Sequence, residues 1–307
     1  MTTRWAKLGL LYEPRALHEK LVSHAANPLA IHLYDDIFRI FFSGRDAQNR
    51  SSVGYVDADI VDRRVVEVGT QPVFEHGPEG SFYSHGVSIG NYYKAAGRRY
   101  ILFMGWHVPV GGHWRGEIGR LVVGDALAFS LEPKGPFIPL SPEDPVSLSY
   151  PWVMKDPRGG YHMWYGSTET WDAGNGEMVH VIKHAHSNDG ERWQTDNHTV
   201  PNAIGVAQAF SRPTVVAEED GYRMWFSYRS GSGQTYRIGE AVSRDAHTWQ
   251  LLLDPAGIDV SDDGWDSEMI AYPFVFAHRG TLYMLYNGND FGRTGIGLAV
   301  AERAALG

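Results

Sequence analysis

One pattern of hydrophobic and polar positions recurs along this chain at a nearly constant interval. Each copy starts on an aromatic residue and alternates apolar positions, and the copies are FRIFFSG from Phe38, YILFMGW from Tyr100, YHMWYGS from Tyr161, YRMWFSY from Tyr222 and YMLYNGND from Tyr283. Their first aromatic residues lie 62, 61, 61 and 61 residues apart. Alternation with a period of two is typical of β-strands. A fixed period of this size indicates a repeat architecture.

Prolines mark another strand, ahead of the aromatic one, in four of the five repeats. Four of the five aromatic segments follow a proline by nine or ten residues, and each proline opens a short apolar run that ends in a turn: Pro28, Pro151, Pro213 and Pro273. This arrangement predicts a hairpin with proline at the first residue of its first strand, where no ladder donor is lost. A third strand and an S-x-D-G/A-x-x-W turn follow in repeats three and four.

The repeats together predict an all-β fold. Five sheets of about four antiparallel strands, repeated radially, form a five-bladed β-propeller. The blade length is ~61 residues, and the repeats fill a single domain over residues 1–307.

The composition of the chain argues against several classes of function. A formal net charge of −9, from 27 basic and 36 acidic side chains, argues against nucleic acid as a partner. The absence of cysteine excludes disulfides, thiolate nucleophiles and Cys-ligated zinc. The N-terminus lacks the apolar core of a signal peptide, and no apolar run approaches the ~20 residues of a membrane span. We therefore expect a cytoplasmic protein with no membrane partner, of open oligomeric state.

A ligand pocket is expected where the hairpin ends converge. The start of a first strand and the end of a second strand lie at the same edge of a hairpin, and in a propeller these edges meet around the central channel. The predicted substrate-binding residues on this rim are His24, Asn27, Arg45, Trp106, His107, Tyr150, Arg212, Arg229, Tyr272, Asn289 and Asp290. The aromatic side chains would stack on a sugar. The arginines would either bind an anionic group or neutralise rim carboxylates.

Three further residues are candidates for catalysis. Glu268 has Trp265, Met269 and Tyr272 as neighbours, and we expect them to desolvate its carboxyl as a general acid requires. Asp46 is the second carboxylate, as base or stabiliser, with a salt bridge to an adjacent arginine as the alternative. His85 would assist. His180, His184 and His186 cluster, but no HExxH motif accompanies them, so we predict no metal and no other cofactor.

The repeat pattern resembles that of the five-bladed β-propeller glycosidases, which include glycoside hydrolase families 32, 43, 62, 68 and 130. The resemblance covers the whole chain and rests on YHMWYGST, YRMWFSYR and YMLYNGND, on the S-x-D-G-x-x-W turns, and on the closing segment from Ser267. It implies that an aspartate early in the chain is the base or nucleophile, that a second aspartate orients, and that a later glutamate, similar in position to Glu268, is the acid. Here His24 and Asn27 occupy the place of the first aspartate. Tyr83 and Ser84 stand near the second.

The resemblance leaves three hypotheses for function. The first is a glycoside hydrolase-like enzyme that uses carboxylate acid and base chemistry on a sugar or glycoside. The second is a glycoside phosphorylase or transglycosidase, in which the arginines hold the acceptor. The third is a carbohydrate-binding propeller without catalysis.

Overall fold

The computed structural model describes residues 2–231, 233–253 and 257–301. Within these ranges the chain is nearly all β-strand. The strands, in chain order, are β1 (Trp5–Tyr12), β2 (Ser23–Tyr34), β3 (Ile37–Arg45), β4 (Ser51–Asp59), β5 (Arg64–Val68), β6 (Gly86–Ala95), β7 (Arg98–His107), β8 (Arg115–Val123), β9 (Phe129–Leu131), β10 (Leu148–Lys155), β11 (Tyr161–Thr170), β12 (Val179–Ser187), β13 (Gln194–Thr199), β14 (Ala209–Glu218), β15 (Gly221–Arg229), β16 (Arg237–Ser243), β17 (Gln250–Leu252), β18 (Ala271–His278), β19 (Thr281–Asn287) and β20 (Ile296–Ala301). A helical turn, α1 (Asn289–Gly292), and a 3-10 turn (Asp125–Leu127) complete the elements. Among the described residues, no helix is long and apolar enough to cross a membrane.

Neighbouring strands pair antiparallel in meanders. These meanders are β2 to β5, β6 to β9, β10 to β13 and β14 to β17. In the last sheet β18, β19 and β20 are completed by β1, which pairs with β20. The two ends of the described chain therefore share one sheet.

The first strands of the meanders lie side by side at the centre. Strands β2, β6, β10, β14 and β18 each contact the next one, and β18 contacts β2. Side chains tie them together: the Asn91 amide bonds both backbone groups of Val153, at 2.7 and 2.9 Å, and Thr214 Oγ1 donates to the Pro273 carbonyl at 2.8 Å. These bonds give adjacent sheets a fixed relative position.

The aromatic second strands form the core. Phe41, Phe103, Trp164, Trp225 and Tyr286 are fully buried, one from each repeat. The S-x-D turns are confirmed as structural, because Ser187 Oγ donates to Asp189 Oδ1 and accepts the Gly190 N–H. Ser243 makes the same pair of bonds in the next sheet.

The prolines do not start their strands, contrary to the prediction. The ladder is interrupted at each of them, and the residue before each proline has a left-handed backbone: Asn27 (φ 55), Tyr150 (φ 39), Arg212 (φ 50) and Tyr272 (φ 55). Proline fits inside these strands because a β-bulge leaves a residue outside the ladder, so no donor is lost. A left-handed backbone costs a non-glycine residue of order 1–3 kcal/mol, and such strain concentrates at functional sites.

Candidate functional site

A cavity of about 390 Å³ opens at the edge where first strands begin and second strands end. It is the edge that the hairpin argument predicted. Residues from several sheets line it: Ala26, Asn27, Ser43, Arg45, Asn49, Ser51, Ser88, Met104, Trp106, Val108, Trp114, Tyr150, Met178, His180, Phe210, Ser211, Arg229, Tyr236, Tyr272 and Phe291. Its size is that of a small-molecule site.

Three of the strained bulge residues reach this cavity. Asn27, Tyr150 and Tyr272 line it, and each precedes a proline in a first strand. The bulges hold these side chains at the cavity in three different sheets. Backbone strain and cavity lining therefore coincide at the same residues, as expected at a ligand site.

Aromatic rings form much of the wall. The ring centroids of Tyr150 and Tyr272 are 5.5 Å apart, and those of Tyr236 and Tyr272 are 6.3 Å apart. Trp106 is held by a 3.1 Å hydrogen bond from its Nε1 to Ser51 Oγ. Flat rings beside hydroxyl groups suit the apolar faces and hydroxyls of a sugar.

The arginines differ in their partners. Arg229 forms an ion pair with the buried Glu177, at 2.7 Å, and stacks over Tyr236. Arg45 is half-buried and donates to Asn49 Oδ1 at 2.8 Å. Among the described residues no carboxylate lies within ion-pair distance of Arg45, so its charge is available to a ligand.

Arg212 lies deeper and does not line the cavity. Its guanidinium donates to the carbonyls of Ile89, at 2.5 Å, of Gly90, at 3.5 Å, and of Pro28. Burial lowers the pKa of Arg212 to about 9, so it keeps its charge at neutral pH. No carboxylate among the described residues pairs with it. Arg212 therefore bonds the central strands together and adds positive charge near Tyr150 and Tyr272.

His180 is a neutral part of the wall. It lies between Ser149 Oγ, 2.6 Å from Nε2, and Thr168 Oγ1, 2.7 Å from Nδ1. Burial lowers the pKa of His180 to about 3. The imidazole thus holds two hydroxyls in position without carrying charge.

Carboxylates are missing from the lining. Within residues 2–231, 233–253 and 257–301, no aspartate or glutamate lines the cavity. The expected desolvation of Glu268 is wrong, because its side chain is exposed; its backbone N–H donates to Asn289 Oδ1 at 2.8 Å. Its role as an acid stays a prediction.

Asp46 is buried in a turn. Its carboxylate accepts the backbone N–H groups of Gln48 and Arg50 and the Arg50 Nε–H, at 2.8 to 2.9 Å. Burial alone would raise the pKa of Asp46, but the bonds from Arg50 and Gln48 outweigh it and hold the pKa below its usual value. The salt-bridge alternative of the sequence analysis is therefore present, and both oxygens serve the β3–β4 turn.

The other predicted residues divide into two groups. Six candidates line the cavity: Asn27, Arg45, Trp106, Tyr150, Arg229 and Tyr272. The others are outside its lining: His24, His85, His107, Arg212, Asn289 and Asp290. Among these, the His85 ring is 5.9 Å from Trp106 and supports it, while Asp290 is exposed and pairs with Arg293.

Comparison with known proteins gives close relatives of unassigned activity. No family model matches the chain. "Uncharacterized protein Rv1502" of Mycobacterium tuberculosis is 43% identical over 300 residues, which span 97% of this chain and 99% of the relative. "Uncharacterized protein MT1551", from another strain, has the same identity and coverage. The chain belongs to the family of these mycobacterial proteins.

Solved structures show the fold of this family member. A "Glycoside hydrolase" structure has a TM-score of 0.76 at 14% identity and covers 100% of this chain and 94% of its own. A glycosyl hydrolase from Bacteroides ovatus has a TM-score of 0.71 at 12% identity, with 99% and 95% covered. A thermostable family-43 glycoside hydrolase has a TM-score of 0.68 at 13% identity, with 95% and 91% covered. The fold is therefore that of glycoside hydrolases.

Sequence reasoning missed residues at the starts of third strands. Ser51 begins β4, His180 is near the start of β12, and Trp114 and Tyr236 directly precede β8 and β16. A third strand starts at the edge where the second one ends. The same hairpin argument, extended by one strand, would have found these four residues.

Two buried histidines should make the folded protein less stable at acidic pH. Burial lowers the pKa of His24 to about 4 and that of His180 to about 3, from 6.5. Below pH 6.5 the unfolded chain binds protons that the folded chain excludes. The free energy of unfolding should fall by up to about 1.4 kcal/mol per pH unit for each histidine as the pH drops from 6.5 towards 4. Urea denaturation across this range checks the slope. A His180→Asn variant with the wild-type slope would contradict the assignment.

Proposed function

We propose that this chain is a single five-bladed β-propeller domain, over residues 1–307, that binds a sugar or glycoside carrying an anionic group. The ring of contacts among β2, β6, β10, β14 and β18 supports the five-bladed arrangement. The ~61-residue spacing of the aromatic segments supports the blade length. The glycoside hydrolase fold supports a sugar as the ligand class.

The observation that carries this proposal is the charge of the cavity. The protein has a net charge of −9, yet Arg45 at the cavity and Arg212 beneath it have no carboxylate partner among the described residues. The guanidinium of Arg45, which lines the cavity, can bind a carboxylate, sulfate or phosphate strongly, and the charge of Arg212 adds to the attraction. Trp106, Tyr150 and Tyr272 provide rings for the sugar itself. Asn27 and Ser211 line the cavity, and their side-chain oxygens have no hydrogen-bond partner among the described residues, so they supply polar contacts.

Two-carboxylate hydrolysis has less support. That reaction needs an acid and a second carboxylate on opposite sides of the glycosidic bond. Glu268 is exposed, Asp46 serves a turn, and no described carboxylate lines the cavity. Binding therefore accounts for more of the cavity than hydrolysis does.

Phosphorolysis is a second candidate, and Arg45 favours it. A phosphate oxygen bound by Arg45 would attack the anomeric carbon, the bond to the leaving oxygen would break, and that oxygen would take a proton. Glu268 is the proposed donor of that proton, which requires its exposed side chain to turn towards the cavity. This reaction needs no carboxylate nucleophile, which fits the lining.

A panel of neutral and acidic oligosaccharides and aryl glycosides tests both candidates. We expect calorimetry to show that the protein binds acidic sugars and binds their neutral counterparts more weakly or not at all. Product formation that depends on orthophosphate would establish the second candidate. Hydrolysis of neutral glycosides without phosphate, together with no preference for acidic ligands, would refute both.

A further inference from the structure

A second cavity, of about 420 Å³, lies at the opposite edge of the sheets, beside the β10–β11 turn. Histidines gather there around two carboxylates, Asp196 of β13 and Asp156 of the β10–β11 turn. The histidines are His162, His184, His186, His198 and His247. This cluster has no part in the sugar site proposed above.

The imidazole nitrogens converge on Asp196. The Nδ1 atom of His184 is 2.5 Å from its carboxylate, and that of His198 is 3.0 Å away. The Nδ1 atoms of His247 and His186 follow at 3.5 and 3.7 Å. Ligand atoms of His184, Asp196 and His247 all lie within 4.8 Å of one another. Tetrahedral zinc with bonds of about 2.0–2.2 Å holds its ligand atoms roughly 3.3 Å apart, which is inside this limit. The contact between His184 and Asp196 would lengthen on binding.

A chain of short contacts fixes the orientation of the His184 ring. Asp156 lies 2.7 Å from His162 Nε2, and His162 Nδ1 lies 2.8 Å from His184 Nε2. On its other side, His184 Nδ1 lies 2.5 Å from Asp196.

A metal ion fits this arrangement. His162 holds the Nε2 side of His184, so Nδ1 is the nitrogen of His184 that faces Asp196. A histidine oriented through its other nitrogen in this way is typical of metal ligands. The His247 Nδ1 atom is buried, has no hydrogen-bond partner among the described residues and lies 3.5 Å from the same carboxylate oxygen of Asp196. A metal ion would provide the missing partner.

We propose that His184, Asp196 and His247 bind a divalent transition metal ion, with its fourth position open to water. Imidazole and carboxylate ligands suit Zn²⁺. His184 and Asp196 belong to β12 and β13, whereas His247 lies between β16 and β17 of the next sheet. A metal ion held by these three ligands would link two neighbouring sheets. We predicted no metal from the sequence, because His184, Asp196 and His247 form no recognisable motif in the chain.

Zinc titration of the untagged full chain after dialysis against EDTA tests this site. We expect one equivalent to bind and the thermal midpoint to rise. His247→Ala should weaken Zn²⁺ binding by at least about tenfold, as loss of metal-site partners does, and Asp196→Asn should do the same. Co²⁺ should give the visible absorption of a tetrahedral complex. His113→Ala, an exposed histidine outside the cluster, should bind zinc as the wild type does.

Two results would overturn the proposal. One is the absence of stoichiometric binding by the folded wild-type chain. The other is unchanged zinc affinity in folded His247→Ala and Asp196→Asn. Because His247 lies in a turn between strands, its replacement should leave the fold intact, which circular dichroism verifies.

Discussion

Arg212→Ala should lower the free energy of unfolding by about 3–5 kcal/mol, because each unsatisfied buried acceptor costs about 1–3 kcal/mol. The Arg212 guanidinium donates to carbonyls of two other central strands, at Pro28 in β2 and at Ile89 and Gly90 in β6. Alanine leaves all three carbonyls without this donor. The release of a buried cation offsets part of the loss, which is why the expected value is below the sum of the three.

Urea denaturation of three variants separates the causes. Arg212→Met keeps most of the volume and removes every donor, so it should lose nearly as much stability as Arg212→Ala. Arg212→Lys keeps the charge and some of the donors, so its stability should lie between that of the wild type and that of Arg212→Met. Arg64→Ala, in the outer strand β5 and exposed, is the matched control and should be neutral. Wild-type stability of Arg212→Met would mean that these hydrogen bonds do not hold the central strands together.

Arg45→Gln should weaken the binding of an acidic sugar by about tenfold to a hundredfold, since hydrogen bonds to charged groups contribute about 1.5–3 kcal/mol. Glutamine preserves much of the side-chain length and removes the cation. Arg45 has no ion-pair partner to rearrange among the described residues, so the change should act on the ligand. The affinity for a neutral sugar should change little.

Calorimetry with the acidic ligand from the panel measures this change. Arg45→Lys keeps the charge but loses the two-pronged geometry, so it should show a smaller loss. Arg64→Gln is the control for general electrostatics. Equal affinity of the wild type and Arg45→Gln for the acidic ligand would show that Arg45 does not bind its charge.

The spacing of the aromatic segments made much of the fold predictable. The second strands, the hairpins and the S-x-D turns depend on local patterns, and each is present. The predicted strand starts at the prolines were wrong, because proline is compatible both with the start of a strand and with a bulge inside one. Sequence cannot separate these two cases. The difference matters, since the bulges aim Tyr150 and Tyr272 at the cavity.

The site was predictable in position and less so in chemistry. The hairpin argument found the correct edge and six of the lining residues. It could not tell that Glu268 points to solvent, because apolar neighbours in sequence need not pack on a side chain. Asp46 did carry a usable signal: an aspartate at the start of a turn commonly accepts the N–H two residues on, as Asp46 does from Gln48. The histidine cluster joins residues from β11 to the β16–β17 turn, which proximity in sequence does not reveal.

The central claim is that the cavity selects a negative charge on a sugar. The most direct measurement is the affinity of the wild-type protein for a uronic acid ligand and for the methyl ester of the same ligand, in the same buffer at neutral pH. The two differ by one charge and have nearly the same shape. The account predicts that the acid binds at least about tenfold more tightly, a difference of about 1.4 kcal/mol. Equal affinities, or tighter binding of the ester, would contradict it.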